Sequence, residues 1–187
     1  SSRRSLALLC DLAPALVVTP DRPAGALIAS DASDTGGAAL VDARRSSAQY
    51  WRLAPFTYYK GRADLASSAY HTTLNRAFGD ARFTAAFGWR WRAPADASIV
   101  IKEALALEAG YARALHMRGD ARPDHRHAAL VDNQGVVCCV ARGRSRNARV
   151  NGVIRRMAAA ELATGATLDV IWVPTSSQPA DALSRRF

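Results

Sequence analysis

Residues Ala24–Val41, AGALIASDASDTGGAALV, decide how the chain reads. Ala24–Asp31 is a short apolar run that ends at an acid, Asp34-Thr35-Gly36-Gly37 is turn-prone, and Ala38–Val41 is apolar again. Two such runs around a turn signal form a hairpin, with Gly36-Gly37 expected to supply the positive φ of the turn. Gln49–Leu53, in which Tyr50 and Arg52 alternate with Trp51 and Leu53, reads as a third strand and completes an antiparallel meander.

Downstream the period lengthens. After Ser98, a candidate N-cap, Val100, Ala104, Leu107, Tyr111 and Leu115 recur at helical spacing. His127–Val131 reads as a strand ending at Asp132, and Asn133–Ala141 as a short helix stopped by Gly143. Val150, Val153, Ile154, Met157 and Glu161 carry another helix from Asn147 to Gly165, a C′ residue. Leu168–Val173, LDVIWV, is a continuous apolar strand of the kind buried on both faces of a parallel sheet. Pro174 stops it, and Ala180–Arg185 starts a terminal helix. Between the third strand and the first helix, residues 54–97 hold Pro55, Gly61, Gly79, Gly88 and Pro94 with no clean period, as an insertion does. Residues 1–23 read as a lead-in segment, and 1–187 as one α/β domain.

Composition narrows the classes. Apolar residues make up 49% and charged residues 22%, a globular balance that excludes disorder and fibre. No apolar run approaches the ~18 residues that a membrane helix needs. Lys and Arg outnumber Asp and Glu by 25 to 16, and a net charge of +9 attracts polyanions, nucleic acid foremost. Cys10, Cys138 and Cys139 lack the C-x-x-C spacing of a zinc or redox site and read as small buried hydrophobes of a reducing, intracellular compartment. The start Ser1-Ser2-Arg3-Arg4 reads as an internal or processed end, which leaves the compartment open among nucleus, cytoplasm and organelle.

Four acids fall at telling places. Asp31 ends the first strand, Glu103 lies early in the long helix, Asp132 ends the fourth strand and Asp181 opens the last helix. In open α/β sheets, sites form beyond the carboxyl ends of parallel strands, so Asp31 and Asp132 meet there if their strands are parallel neighbours. Packed carboxylates raise each other's pKa unless a cation neutralises them, and hard oxygen ligands suit Mg²⁺ or Mn²⁺. Two such ions stabilise the attacking and leaving oxygens of an in-line phosphoryl displacement. Each acid also has an ordinary reading: a turn residue at Asp31, a solvated charge at Glu103, an N-cap at Asp132, a helix-dipole partner at Asp181.

The chain resembles the ribonuclease H domain of retroelement reverse transcriptases. The matching stretches are SDASDTGGAALV (Ser30–Val41), IVIKEALALEAGYARAL (Ile99–Leu115), ALVDNQGVVCCVARGRSRNARVNGVIRRMAAAELA (Ala129–Ala163) and LDVIWVPTSSQPADALSRR (Leu168–Arg186). The resemblance implies an RNase H-like fold, a five-stranded mixed sheet flanked by helices. It also implies two divalent ions, Mg²⁺ or Mn²⁺, held by Asp31, Glu103, Asp132 and Asp181, and cleavage of the RNA strand of an RNA–DNA hybrid. Two positions depart from the family pattern. Pro174–Pro179 holds no histidine before the final acid, and Gln178 stands where asparagine is expected.

Arg142, Arg144, Arg146 and Arg149 surround the connection between the second and third helices, and Arg155 and Arg156 follow. An arginine-rich loop beside such a site suits the phosphates of a hybrid, with Asn133, Ser145 and Asn151 as further hydrogen bonders. Trp89-Arg90-Trp91-Arg92 reads either as a stacking strip or as core tryptophans with outward arginines. His71, His125 and His127 show no ligand spacing.

The leading reading is a retroelement-derived two-metal endonuclease, with a polymerase domain of the same polyprotein as a partner. The alternative is a silent, domesticated module that binds structured RNA in a ribonucleoprotein such as an organellar ribosome. A separation of Asp31 and Asp132 beyond about 8 Å, or an arginine between them, would favour that module, because two-metal sites need closer oxygens. An integrase on the same fold places its glutamate on a late helix, where this chain has Asp181.

Overall fold

The computed structural model describes residues 24–42, 83, 85–92, 97–117 and 125–187. The strands are β1 (Ala24–Ala32), β2 (Gly36–Asp42), β3 (Ala85–Arg90), β4 (Arg126–Val131) and β5 (Thr167–Trp172). The helices are α1 (Ile99–Met117), α2 (Gln134–Ala141), α3 (Ala148–Thr164) and a short α4 (Asp181–Ser184). They form a five-stranded mixed sheet of order β3-β2-β1-β4-β5, antiparallel between β3, β2 and β1 and parallel across β1, β4 and β5.

The third strand is not where the sequence pattern put it. Gln49–Leu53 lies outside the described residues, and β2 pairs with Ala85–Arg90, inside the stretch read as an insertion. AAFGWR hides its strand character because its alternation rests on one aromatic pair, Phe87 and Trp89, around a glycine. Phe87 and Trp89 are stacked, ring centroids 5.7 Å apart, while Gly88 leaves room for the Phe187 ring, which a Cβ there would meet at 2.3 Å. Gly36 and Gly37 are likewise not turn residues. They belong to β2, positive φ among the described glycines occurs at Gly143 and Gly165, and a Cβ on Gly37 would meet the Trp89 ring at 2.6 Å. The turn itself is Ser33–Thr35, where Ser33 N–H donates to Gly36 O at 2.8 Å and Ser33 Oγ accepts from Gly36 N–H.

Alternation along β1 sorts its side chains. Ala26 and Ile28 join the core under α1 and α3 with Leu107, Tyr111, Val153 and Met157. Leu27 and Ala29 face the opposite side, with Leu130, Ile171, Val173 and Ala180, which the C-terminal segment covers through Leu183. Gly110 lets α1 approach the sheet closely, since a Cβ there would lie 2.8 Å from Ile28. Among the described residues β5 is an edge strand of the sheet; Leu168 and Asp169 are only half-buried, and Asp169 pairs with Arg126 of β4. Within Leu168–Val173 the expected burial holds at Val170, Ile171 and Val173, while Leu168, Asp169 and Trp172 are half-buried.

The helix boundaries follow their caps. The Ser98 carbonyl accepts from Ile101 and Lys102 N–H, the Asn133 side chain accepts from Val136 N–H, and Asn147 accepts from Arg149 and Val150 N–H. Gly165, φ 69°, closes α3 in the left-handed conformation. The free thiols depart from expectation: Cys138 is exposed on α2 and Cys139 half-buried, while Cys10 lies outside the described residues. No described helix is long and apolar enough to cross a membrane.

Candidate metal centre

Parallel pairing sets the site. Leu27 lies against Ala128 and Ala29 against Leu130, and continuing that register by two residues brings Asp31 beside Asp132. Both carboxylates therefore emerge at the carboxyl end of neighbouring parallel strands, where an open α/β sheet leaves its crevice. Glu103 reaches the same place from the second turn of α1. One carboxylate oxygen from each of Asp31, Glu103 and Asp132 lies within 4.8 Å of the others.

Asp31 and Glu103 are 4% and 3% exposed, while Asp132 is half-buried. Burial, reinforced by Asp132 and Asp181, pushes Asp31 up to about 6, although a hydrogen bond from Ser184 opposes the shift. Burial pushes Glu103 up to about 9, with Asp31 and Asp132 adding to it and the Ala32 N–H opposing. Glu103 Oε2 is buried without a hydrogen-bond partner. Such an atom is costly unless something not made of protein satisfies it.

Asp181 lines the same cleft but is not one of the three converging acids. Its Oδ1 accepts from Arg185 Nε at 2.9 Å and Nη2 at 2.7 Å, an i,i+4 pair on α4. Asn133 also lines the cleft; as the N-cap of α2 it uses Oδ1 on Val136 N–H at 3.2 Å.

Four residues outside the predicted set of site residues hold it together. Ser184, fully buried, donates from Oγ to Asp31 Oδ2, and its carbonyl accepts from Ser33 Oγ at 2.8 Å. Gln178 Nε2 donates to Ser30 O and Leu130 O, 3.1 Å each, and so bridges β1 and β4 just before they deliver Asp31 and Asp132. Lys102, 3% exposed, donates to Asp34 O at 2.9 Å and braces the turn that follows β1. Trp172 Nε1 fixes the Asp132 carbonyl from β5 at 2.8 Å. A buried serine three residues after an acid was the available signal for Ser184, but serine is common and burial is invisible in sequence.

Arg142, Arg144 and Arg146 ring a second concavity with Cys139 and Ser145, all three guanidinium groups exposed. The loop is pinned by Asn151, which accepts from Ser145 N–H and donates to Ser145 O, both 2.6 Å. Both functions of its amide thus shape the loop. Arg149 and Arg155 are exposed on α3, whereas Arg156 is tied to Glu108 of α1, Nη2 to Oε2 2.7 Å. The tryptophans pack rather than project. Trp89 meets Trp91 edge-on at 5.5 Å, Trp91 Nε1 donates to Ser33 O, and Arg90 and Arg92 face outward. His127 is buried, its Nδ1 accepting from Ala26 N–H at 3.0 Å.

Among solved structures the chain is similar to the N-terminal RNase H domain of Rv2228c from Mycobacterium tuberculosis, solved as a fusion with maltose-binding protein. The TM-score is 0.50 at 15% identity, covering 87% of this chain and 97% of that one. No family model and no curated protein sequence matches the chain. Strand order, mixed pairing and flanking helices agree with this likeness: the fold is RNase H-like.

Proposed function

We propose that the chain is a metal-dependent ribonuclease H that cleaves the RNA strand of RNA–DNA hybrids, derived from a retroelement. The observation that carries the reading is the convergence of Asp31 and Asp132, at the ends of parallel strands, with Glu103 of α1, which has a partnerless buried oxygen. An all-carboxylate donor set in which Asp31 and Glu103 have raised proton affinity fits Mg²⁺ or Mn²⁺, hard cations that take oxygen ligands and keep places for water and phosphate oxygens. Asp31, Glu103 and Asp132 would hold the first ion, and Asp181, once freed from Arg185, would join in holding a second. When bound, such ions supply an activated water and charge stabilisation for the leaving 3′ oxygen.

The chain's own residues do the rest. Glu103, which burial keeps protonated at neutral pH, would give up its proton to a bound cation and so join Asp31 and Asp132 as a ligand. Gln178 and Ser184 keep the strand ends and the Asp31 carboxylate in place without reorganisation. The exposed Arg142, Arg144, Arg146, Arg149 and Arg155, with Ser145 and the Asn133 amide, contact backbone phosphates of the duplex. A hybrid's wide minor groove, with 2′-hydroxyls on one strand alone, gives such a surface its means of choosing the RNA strand.

The silent RNA-binding module is the less favoured reading. Asp31 and Asp132 stand close together, and the arginine at the cleft pairs with Asp181 rather than separating them. Cleavage of an end-labelled RNA–DNA hybrid in Mg²⁺, beside the same RNA single-stranded and as an RNA duplex, tests the choice. Hybrid-only cleavage that falls at least about 100-fold in Asp132→Asn supports the nuclease, since a metal ligand is asked to supply several kcal/mol of transition-state stabilisation. Tight RNA binding with no cleavage in Mg²⁺ or Mn²⁺ returns the module.

A further inference from the structure

We infer that Ser184 is a positioning residue of the metal centre: its buried hydroxyl fixes the direction of the Asp31 carboxylate and thereby sets the affinity of the site for divalent cations. The inference rests on the metal-centre reading above and adds a determinant outside the carboxylates themselves.

Asp31 has two oxygens, and the fold treats them differently. Oδ2 accepts from Ser184 Oγ, whose residue has no exposed surface, so water does not compete for that bond. The carboxylate is thereby held in one rotation, with its other oxygen available to the cleft shared with Glu103 and Asp132. The serine is itself anchored from two directions. Its carbonyl accepts from Ser33 Oγ at 2.8 Å, on the turn leaving β1, and its N–H donates to Ala180 O at 3.0 Å. Gly36 packs beneath it so closely that a Cβ there would lie 2.9 Å from the Ser184 carbonyl. These anchors fix the Ser184 backbone, so its hydroxyl stays beside Asp31, within reach of Asp31 Oδ2 and of the Asp181 carbonyl at 3.0 Å.

Groups that hydrogen-bond a ligating side chain fix its orientation, and their loss typically costs about 10- to 100-fold in metal affinity. Alanine at this position removes one oxygen without adding volume or charge, and gives up the contact with the Asp181 carbonyl together with that to Asp31. The main-chain anchors remain in that variant.

Titration calorimetry with Mn²⁺ alone, on the full chain, tests the inference with Ser184→Ala and Ser33→Ala. Ser33→Ala loosens the same turn through the Ser184 carbonyl but does not touch Asp31. The expected result is Mn²⁺ binding about 10-fold weaker in Ser184→Ala, with Ser33→Ala within about twofold of the parent chain. In hybrid cleavage, Ser184→Ala then needs correspondingly more Mn²⁺ for half-maximal rate and approaches the parent kcat at saturation. Equal affinity of Ser184→Ala and the parent overturns the positioning role while leaving the metal centre intact. Equal weakening in both variants assigns Ser184 to holding the turn and also overturns it. A parent chain that does not bind Mn²⁺ overturns the metal-centre reading, and this inference with it.

Discussion

Arg185 holds Asp181 by a single oxygen: Nε and Nη2 both reach Oδ1, at 2.9 and 2.7 Å, within the cleft that Asp31, Glu103 and Asp132 also line. The pair sits on a helix of one turn, with the guanidinium side chain 66% exposed. An exposed i,i+4 pair contributes little to stability. Its consequence is chemical, because Asp181 is the acid that would complete a second ion's shell and a guanidinium now occupies it.

Removing that competitor has a measurable effect. Arg185→Ala should lower the Mg²⁺ concentration for half-maximal hybrid cleavage by about 3- to 10-fold, the size of a modest charge interaction near a surface. Metal-dependence curves for the two proteins check this. An unchanged or raised requirement would mean that Asp181 does not take a metal.

Glu103 makes the metal-free protein sensitive to pH. It is held at about 9 in the folded chain against 4.5 unfolded, and Asp31 at about 6 against 3.8. Between those values the folded state keeps protons that the unfolded chain releases. Stability is therefore fully present at the acid end and is lost as pH rises through about 6 and then about 9. Glu103→Gln removes the larger of these contributions while its amide oxygen still accepts from the Ala32 N–H. Its metal-free melting temperature at pH 8 should exceed that of the parent, with a flatter pH profile and cleavage lost. Thermal melts in chelator from pH 5 to 9 decide it, and a lower melting temperature for Glu103→Gln would contradict the raised proton affinity.

Gln178 is a strut. Gln178→Ala leaves the Ser30 and Leu130 carbonyls without their donor in a place only 6% exposed. A cost of about 2–4 kcal/mol follows from leaving buried acceptors unpaired. Denaturant unfolding measures it. Gln178→Asn, one methylene shorter, should recover only part, because a shorter arm cannot span both strands; full recovery would show that bridging is not what matters.

The arginine loop should be read through salt. Removing two phosphate contacts by Arg144→Ala with Arg146→Ala should make the slope of log binding constant against log salt shallower by about 1.5–2. Hybrid binding to the cleavage-dead Asp132→Asn background across a salt series gives the slope. No change would place the loop away from the nucleic-acid backbone.

Much of this was legible in the residues. The apolar runs at Ala24–Asp31 and His127–Val131 and the period from Val100 to Leu115 are local signals, as are the caps at Asn133, Asn147 and Gly165. Each lies within one or two residues of the element it announces. The four acids stood out because Asp31, Asp132 and Asp181 close or open such elements and Glu103 lies early in the long helix. β3 did not, since AAFGWR carries its alternation in a Phe–Trp pair around a glycine that serves a distant ring. Gly36-Gly37 misled for the same reason: the glycines answer to Trp89, more than fifty residues away in the chain, and not to the turn beside them.

Sequence alone determined the strands and helices other than β3, and that Asp31 and Asp132 end strands, because period, caps and turn chemistry act over a few residues. Only the tertiary structure decided what those acids face. The parallel register of β1 and β4 joined Asp31 to Asp132, and the crossing of α1 over the sheet brought in Glu103. The C-terminal turn set Ser184 on one acid and Arg185 on another. Those pairings join residues far apart in the chain, and their energies come from burial and close approach, which no local pattern encodes.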